Sequence, residues 1–264
     1  MREKTGFIGT GRMGMALMQG FLKARLLSKT GIIAYDEHTE KQAALKKQGI
    51  TLAKNNKDLV RRSKTIIIAV KPKDVPALLD EIKDDSGGKL FISIAAGITT
   101  GMLEQKLKGR VIRVMPNTPC IAYHGACAFT LGRKATAGDA AKVKRLLSAL
   151  GITEQLPEEL MDAATGLSGS GPAYIYLVVK ALAEAGIEEG LPPETALRLA
   201  AQTAKGAAEM ILTMGKTPQQ LIDDVCSPGG TTIEGMKKLE EKKAAEAFKH
   251  AVAAATKRSK ELSG

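Results

Sequence analysis

Tryptophan is absent from the 264 residues, and aromatic side chains are scarce as a whole, with five Phe and four Tyr. A core without large rings has to be aliphatic, which favours close-packed helices over a broad β-sandwich. Cysteine is also sparse: Cys120, Cys127 and Cys226 make an odd count, and no C-x-x-C occurs. That excludes a disulfide framework and reads as a reduced, intracellular chain. Cys120, His124 and Cys127 crowd together but offer three ligands and no matching pair, short of a closed zinc site, so no metal is expected. No stretch approaches the ~18 apolar residues of a membrane span, and the start shows no signal-peptide pattern. A cytoplasmic protein without a membrane role is expected. G-x-S-x-G, Walker A and H-E-x-x-H are all missing, and His38, His124 and His250 fall outside the strong motifs.

Charge of one sign is in excess, at +11, but it is not gathered into a patch. In LEEKKAAEAFKHAVAAATKRSKEL the basic residues alternate with Glu, as on a solvated helix face. Nucleic acid is therefore not the expected partner. A dispersed basic balance suits small anionic ligands such as dinucleotides and carboxylates.

The first half of the chain alternates strand and helix signals. TGFIG (5–9), GIIAYD (31–36), TIIIAV (65–70), KLFISIA (89–95) and RVIRVM (110–115) read as strands. The uninterrupted β-branched runs mark strands covered on both faces of a parallel sheet. Helical periodicity is expected at 12–24, 39–48, 74–84 and 100–107, and a last strand pair at 125–131 and 151–156 flanks a helix at 139–150. The expected fold is α/β: an N-terminal doubly wound, mainly parallel sheet of Rossmann type, followed by an all-α domain. Beyond about residue 157 the rhythm stops, and helices are expected near 158–166, 171–190, 193–214, 218–226 and 231–262, the last one broken. The division falls at 1–157 and 158–264. PAYIYLVVKALAEAGIEEG is apolar on more than one face, so in a small helical domain a second copy of the chain is the natural cover, and a homodimer is expected.

Five constellations can carry chemistry. FIGTGRMG places Gly9, Gly11 and Gly14 in G-x-G-x-x-G spacing between a strand and a helix. Gly9 permits a tight turn, Gly11 lets a pyrophosphate approach the backbone, and Gly14 lets helix and strand pack closely. Asp36 ends the second strand, where an acidic residue binds a ribose diol, which argues for NAD; His38 and Lys41 nearby keep NADPH open. AVKP (69–72) and AAG (95–97) end parallel strands at the carboxyl edge, where ligands bind. MPNTP (115–119) offers Asn117 and Thr118, equally readable as a rigid turn or a cofactor contact. TGLSGSGPAY (165–174) bares backbone before Pro172 opens a helix. In SPGGTT, Gly229 and Gly230 precede Thr231 and Thr232 at a helix start, where free N–H groups suit a carboxylate; simple N-capping by Thr is the plainer alternative.

FIGTGRMG, AVKP, AAG, MPNTP, GLSGSGPAY and SPGGTT occur in this order and at suitable spacing over residues 5–262. The chain in this respect resembles pyrroline-5-carboxylate reductase, the last enzyme of proline synthesis. The resemblance implies reduction of 1-pyrroline-5-carboxylate to L-proline by NADPH or NADH. It also implies a helical C-terminal dimerisation domain through which two chains intertwine, and assembly of dimers into a ring, as far as a decamer. Carried over by position, Gly229, Gly230, Thr231 and Thr232 would bind the substrate carboxylate. Thr232 would place its hydroxyl near the ring nitrogen as the catalytic group, and Glu158 and Asp224 would line the substrate pocket. Ile8, Gly9, Thr10, Gly11, Arg12, Met13, Gly14, Asn56, Ala69, Val70, Lys71, Pro72, Ala95, Ala96 and Gly97 fall on the cofactor side. Asp36 stands where many members carry Ser or Asn followed by Arg, and Asp224 stands where an amide can occur. Two rival readings are a β-hydroxyacid dehydrogenase with Lys180 as its base, which leaves SPGGTT unexplained, and a nucleotide-binding regulator without activity.

Overall fold

The computed structural model describes residues 3–263. These form two compact units, one running through Gly169 and joined by the chain from Ala254 onward, the other covering Ser170–Ala253.

The first unit is built on an eight-stranded sheet: β1 (Thr5–Ile8), β2 (Ile32–Tyr35), β3 (Thr51–Leu52), β4 (Thr65–Ile68), β5 (Leu90–Ser93), β6 (Arg110–Met115), β7 (Gly125–Leu131) and β8 (Gly151–Gln155). Its spatial order is β3-β2-β1-β4-β5-β6-β7-β8. All neighbours are parallel except β6 and β7. Six helices connect the strands: α1 (Arg12–Lys23), α2 (Thr39–Lys47), α3 (Asn56–Arg62), α4 (Val75–Ile82), α5 (Thr100–Lys106) and α6 (Ala137–Leu147). Successive strand residues send side chains to opposite faces. Phe7, Ile67 and Ile92 therefore join one core with Leu17, Phe21, Val143 and Leu146. Ile8, Ile66 and Ile68 join the other with Leu59, Leu79 and Leu103. Two separate cores, one per face, account for the unbroken apolar strands seen in the sequence. Cys120 and Cys127 sit within the first of them as unlinked thiols, their Sγ atoms 3.6 Å apart.

Two elements were not anticipated. β3 has only two residues, too few to show a period. The seven-residue α3 is dominated by Asn, Lys, Asp and Arg, and it is announced only by its cap, where Asn55 Oδ1 accepts the Asp58 N–H at 2.8 Å.

After α7 (Met161–Ala164) and a turn of π-helix at Thr165–Gly169, the second unit contains α8 (Gly171–Glu188), α9 (Pro193–Thr213), α10 (Pro218–Val225), α11 (Thr231–Glu241) and the first part of α12 (Ala244–Ser263). The break expected in the last helical stretch falls at Lys242–Lys243, where Lys243 takes φ +53°. The unit has little interior of its own. Its buried apolar cluster is Ala183, Ala196 and Ala200, with Val179 against them. Ile175, Tyr176, Leu177, Leu182, Leu199 and Leu212 are all more than half exposed. An apolar surface of that extent on so small a core calls for a covering partner. Among the described residues no helix is long and apolar enough to cross a membrane.

Candidate functional site

The strand order reverses at β1, which lies between β2 and β4. The carboxyl ends of these three strands open onto a cavity of about 470 Å³. Of the expected cofactor residues, Ile8, Gly9, Gly11, Asp36, Asn56, Ala69, Val70 and Lys71 line it. Ligands of doubly wound sheets bind at such a switch point. The turn after β1 is shaped by sterics: Gly9 has φ +85°, and a Cβ there would stand 2.7 Å from the Ala69 carbonyl oxygen. At Gly14 a Cβ would fall 2.6 Å from the Gly9 carbonyl oxygen, so α1 can approach the sheet only without a side chain. Gly11 differs, since a Cβ there would meet nothing within 4 Å. It leaves the backbone bare toward open space. Gly11 is also the N-cap of α1, with no side-chain cap and no acidic residue in the first turn. The helix start, with Arg12 and Met13 in its first turn, thus keeps N–H groups and a positive dipole end for an anion. Asn56 adds a polar wall. Its Nδ2 donates to Glu81 at 2.8 Å, which fixes the amide orientation, and its Oδ1 is buried without a partner. A bare helix start, a cradle beside Gly11 and an orphaned acceptor fit a dinucleotide.

Asp36 is more engaged than its sequence position suggests. Its side chain is 5% exposed. Oδ2 accepts the Thr10 N–H at 2.7 Å and the Thr10 hydroxyl at 2.8 Å. Oδ1 accepts the His38 N–H at 3.1 Å and His38 Nδ1–H at 2.8 Å. Burial alone would push this carboxyl up, but the Thr10 and His38 donors outweigh it and hold the group well below the usual carboxylate range. Tyr35, Glu37, His38, Lys41, Lys73, Asp74, Ala77, Leu78 and Glu81 complete the lining.

The remaining expected cofactor residues lie outside this cavity's lining. Pro72 opens a short 3₁₀ turn directly after Lys71. Ala95, Ala96 and Gly97 follow β5; Gly97 has φ +74°, and a Cβ there would stand 2.8 Å from the Leu262 carbonyl oxygen, so the glycine admits the end of α12. Asn117 has its amide occupied, donating to the Ser168 carbonyl at 3.1 Å and accepting the Ala126 N–H at 3.0 Å.

Glu158 lies in a charged cluster that was not foreseen. Its Oε1 accepts Arg113 Nη1–H at 2.6 Å, and its Oε2 accepts the Thr100 hydroxyl at 2.5 Å and the Thr100 N–H at 3.2 Å. Arg113 is only 2% exposed, and its Nη2 lies 3.7 Å from Asp162, whose Oδ1 accepts the hydroxyls of Ser259 and Ser263. The signal was present: Arg113 interrupts an apolar strand at a position that needs partners, because a buried guanidinium is costly alone.

In the second unit, Cys226 ends α10 and Gly229, at φ +71°, turns the chain into α11. The N-cap of α11 is Gly230, with no side-chain cap; Thr231 and Thr232 are the first two helical residues. The capping alternative therefore does not hold, since neither threonine is the cap. The first turn is left with open N–H groups behind two glycines, and Thr232 is half-buried beside them. A Cβ at Gly230 would press on Ser227 Oγ, and the Gly230 N–H donates to the Ser227 carbonyl at 3.0 Å, which closes the turn. Asp224 is not a free charge, because Lys216 Nζ donates to it at 2.6 Å.

Residues 158–262 match the family model for pyrroline-5-carboxylate reductase dimerisation, and residues 4–97 match the model described as NADP oxidoreductase, coenzyme F420-dependent. The chain is 45% identical to pyrroline-5-carboxylate reductase of Methanosarcina acetivorans over 98% of both chains. It is 42% identical to the Pisum sativum enzyme of that name, covering 98% of this chain and 95% of the relative. A crystal structure of the Plasmodium falciparum pyrroline carboxylate reductase with NADP bound superimposes with a TM-score of 0.90 at 34% identity, covering 100% of this chain and 99% of that one. With relatives this similar over nearly the whole length, the chain belongs to the pyrroline-5-carboxylate reductase family.

Proposed function

We infer that this protein reduces 1-pyrroline-5-carboxylate to L-proline with NAD(P)H, acting as a homodimer. The single observation that carries this is family membership over the full length, with 45% identity across 98% of a named relative. The fit of the switch-point cavity to a dinucleotide supports it.

Bound NAD(P)H supplies the hydride. The chain's own residues do the rest. The turn at Gly9–Gly14 and the start of α1 hold the pyrophosphate, with Ala69 to Pro72, Ala95 to Gly97 and Asn117 shaping the carboxyl edge of the sheet. Residues from 158 onward serve dimerisation and substrate binding. The open N–H groups of Gly230, Thr231 and Thr232 grip the substrate carboxylate, where backbone donors and the helix dipole act together. The Thr232 hydroxyl donates to the ring nitrogen of the neutral imine and, once that nitrogen is protonated, its oxygen accepts the iminium N–H, so that C5 is the electrophilic carbon. Lys216 cancels the Asp224 charge near that anion-binding turn. Glu158, fixed by Arg113 and Thr100, is a positioning residue. Holding donor and acceptor in register contributes most of the acceleration, an effect worth about 7–11 kcal/mol in favourable cases.

A cytoplasmic location and a ring of dimers, as far as a decamer, complete the reading; light scattering behind a sizing column measures the assembly. The test of the reaction is loss of absorbance at 340 nm when 1-pyrroline-5-carboxylate is added with NADPH or NADH, together with stoichiometric proline. No oxidation with either cofactor overturns it.

A further inference from the structure

We propose that Lys41, supported by His38, selects the 2′-phosphate of NADPH, while Asp36 is a brace for the glycine turn rather than a ribose-reading acid. This rests on the reductase reading above and assigns the cofactor choice within the same cavity.

A carboxylate offers about four lone-pair positions. In Asp36 all are taken by short donors: two from Thr10 and two from His38. No free acceptor is left for a ribose diol, and the side chain is 5% exposed. Asp36 therefore lacks the property for which an acid at this place ordinarily selects NADH. Its charge is also compensated, because Lys41 Nζ stands 3.4 and 3.5 Å from its two oxygens.

Those lysine contacts are long for charge-assisted bonds. Lys41 is 38% exposed, and its ammonium carries three N–H groups. His38 is half exposed, and both residues line the cavity beside Asp36. Lys71 and Lys73 line it as well. Acidic residues Glu37, Asp74 and Glu81 share the wall; Glu81 is held by Asn56, and Glu37 is 80% exposed. Asn56 Oδ1, buried and unpartnered, supplies the acceptor for a ribose hydroxyl that Asp36 cannot. The cavity thus offers one acceptor for a hydroxyl and, in Lys41, an ammonium held only by contacts of 3.4–3.5 Å to Asp36 and His38, which a phosphate can outcompete with short charge-assisted bonds.

Isothermal titration calorimetry with NADP⁺ and NAD⁺ tests this on the full-length wild type and on Lys41→Ala and Lys41→Arg. The expected result is a wild-type preference for NADP⁺ of about tenfold or more, as for a charge-assisted contact. Lys41→Ala should lose most of that preference with NAD⁺ affinity changed by no more than about twofold, as for an exposed charge. Lys41→Arg should retain it. Wild-type preference for NAD⁺, equal affinities, or full preference kept in Lys41→Ala overturns the specificity assignment and leaves the reductase reading intact. Equal weakening of both ligands by Lys41→Ala does the same. Failure of the wild type to bind either dinucleotide overturns both readings.

Discussion

Replacing Asp36 by asparagine removes one acceptor and changes almost nothing in volume. In the wild type, Oδ2 accepts the Thr10 N–H at 2.7 Å and the Thr10 hydroxyl at 2.8 Å, while Oδ1 accepts the His38 N–H at 3.1 Å. Asn carries one oxygen and one NH₂. Whichever way the amide turns, a donor faces a backbone N–H of Thr10 or of His38. A buried donor left unsatisfied costs about 1–3 kcal/mol, and the bonds that survive lose their charge assistance. The expected loss is about 2–3 kcal/mol, or roughly 5–10 °C in Tm for a chain of this size. The pH dependence has a definite sign. The folded carboxyl is held below its ordinary value near 3.9, so its stabilisation is present in full above that pH and drains away as pH falls further. The gap between wild type and Asp36→Asn in urea unfolding should therefore be widest near neutrality and should narrow below about pH 4. Affinities for NAD⁺ and NADP⁺ should fall together, because the Thr10 turn serves both. A variant as stable as the wild type that loses NAD⁺ binding alone would refute the brace and restore Asp36 as a ribose acceptor.

Other substitutions address the remaining parts of the account. Arg113→Ala should lower stability by about 3 kcal/mol, the low end for a broken buried pair because Glu158 is 31% exposed; an unchanged urea midpoint would deny the cluster its anchoring role. Gly14→Ala forces a Cβ to within 2.6 Å of the Gly9 carbonyl oxygen and should cost about 1–3 kcal/mol together with dinucleotide affinity, read by thermal melting and calorimetry. Thr232→Ala should reduce kcat by about 10²-fold while leaving NADP⁺ affinity near that of the wild type; equal activity would remove its role at the ring nitrogen. Leu177→Glu combined with Leu212→Glu puts charges on apolar side chains that are 62% and 67% exposed in one chain, and should yield monomers by light scattering; an intact dimer would place the interface elsewhere.

The fold was legible where burial was two-sided or one-sided in a regular way. TIIIAV and KLFISIA could be read as parallel strands because each is covered on both faces, and the order of glycine turns and strand ends located the switch point. β3 and α3 were not legible, since a two-residue strand shows no period and α3 is held mainly by its cap and by Leu59 and Val60. At the site, the glycine spacing, the strand-end segments and the SPGGTT turn could be named from the sequence. Their hydrogen-bond economy could not. Whether Asp36 faces a ligand or Thr10, whether Asp224 is free or paired with Lys216, and whether Asn117 is available or tied to Ser168 and Ala126 are matters of tertiary contact. Arg113 was visible as a charge in an apolar strand, but its partners are distant in sequence, and only the fold brings Glu158 and Asp162 to it.

The grip of the 229–232 turn on a carboxylate is measured most directly by changing one partner on each side. Thr231 is the first residue of α11, where proline is tolerated, and Gly230 before it has φ −79° and ψ 167°, a conformation compatible with a following proline. Thr231→Pro, read against Thr231→Ala as the control for the lost hydroxyl, thus isolates the loss of one backbone N–H donor with the helix kept. Steady-state kinetics compare 1-pyrroline-5-carboxylate with 1-pyrroline, which has the same C=N bond and no carboxylate. The predicted result is a drop of about tenfold or more in kcat/KM for the carboxylate substrate, with 1-pyrroline changed by less than about twofold. Equal losses on the two substrates, or none on either, would contradict the account.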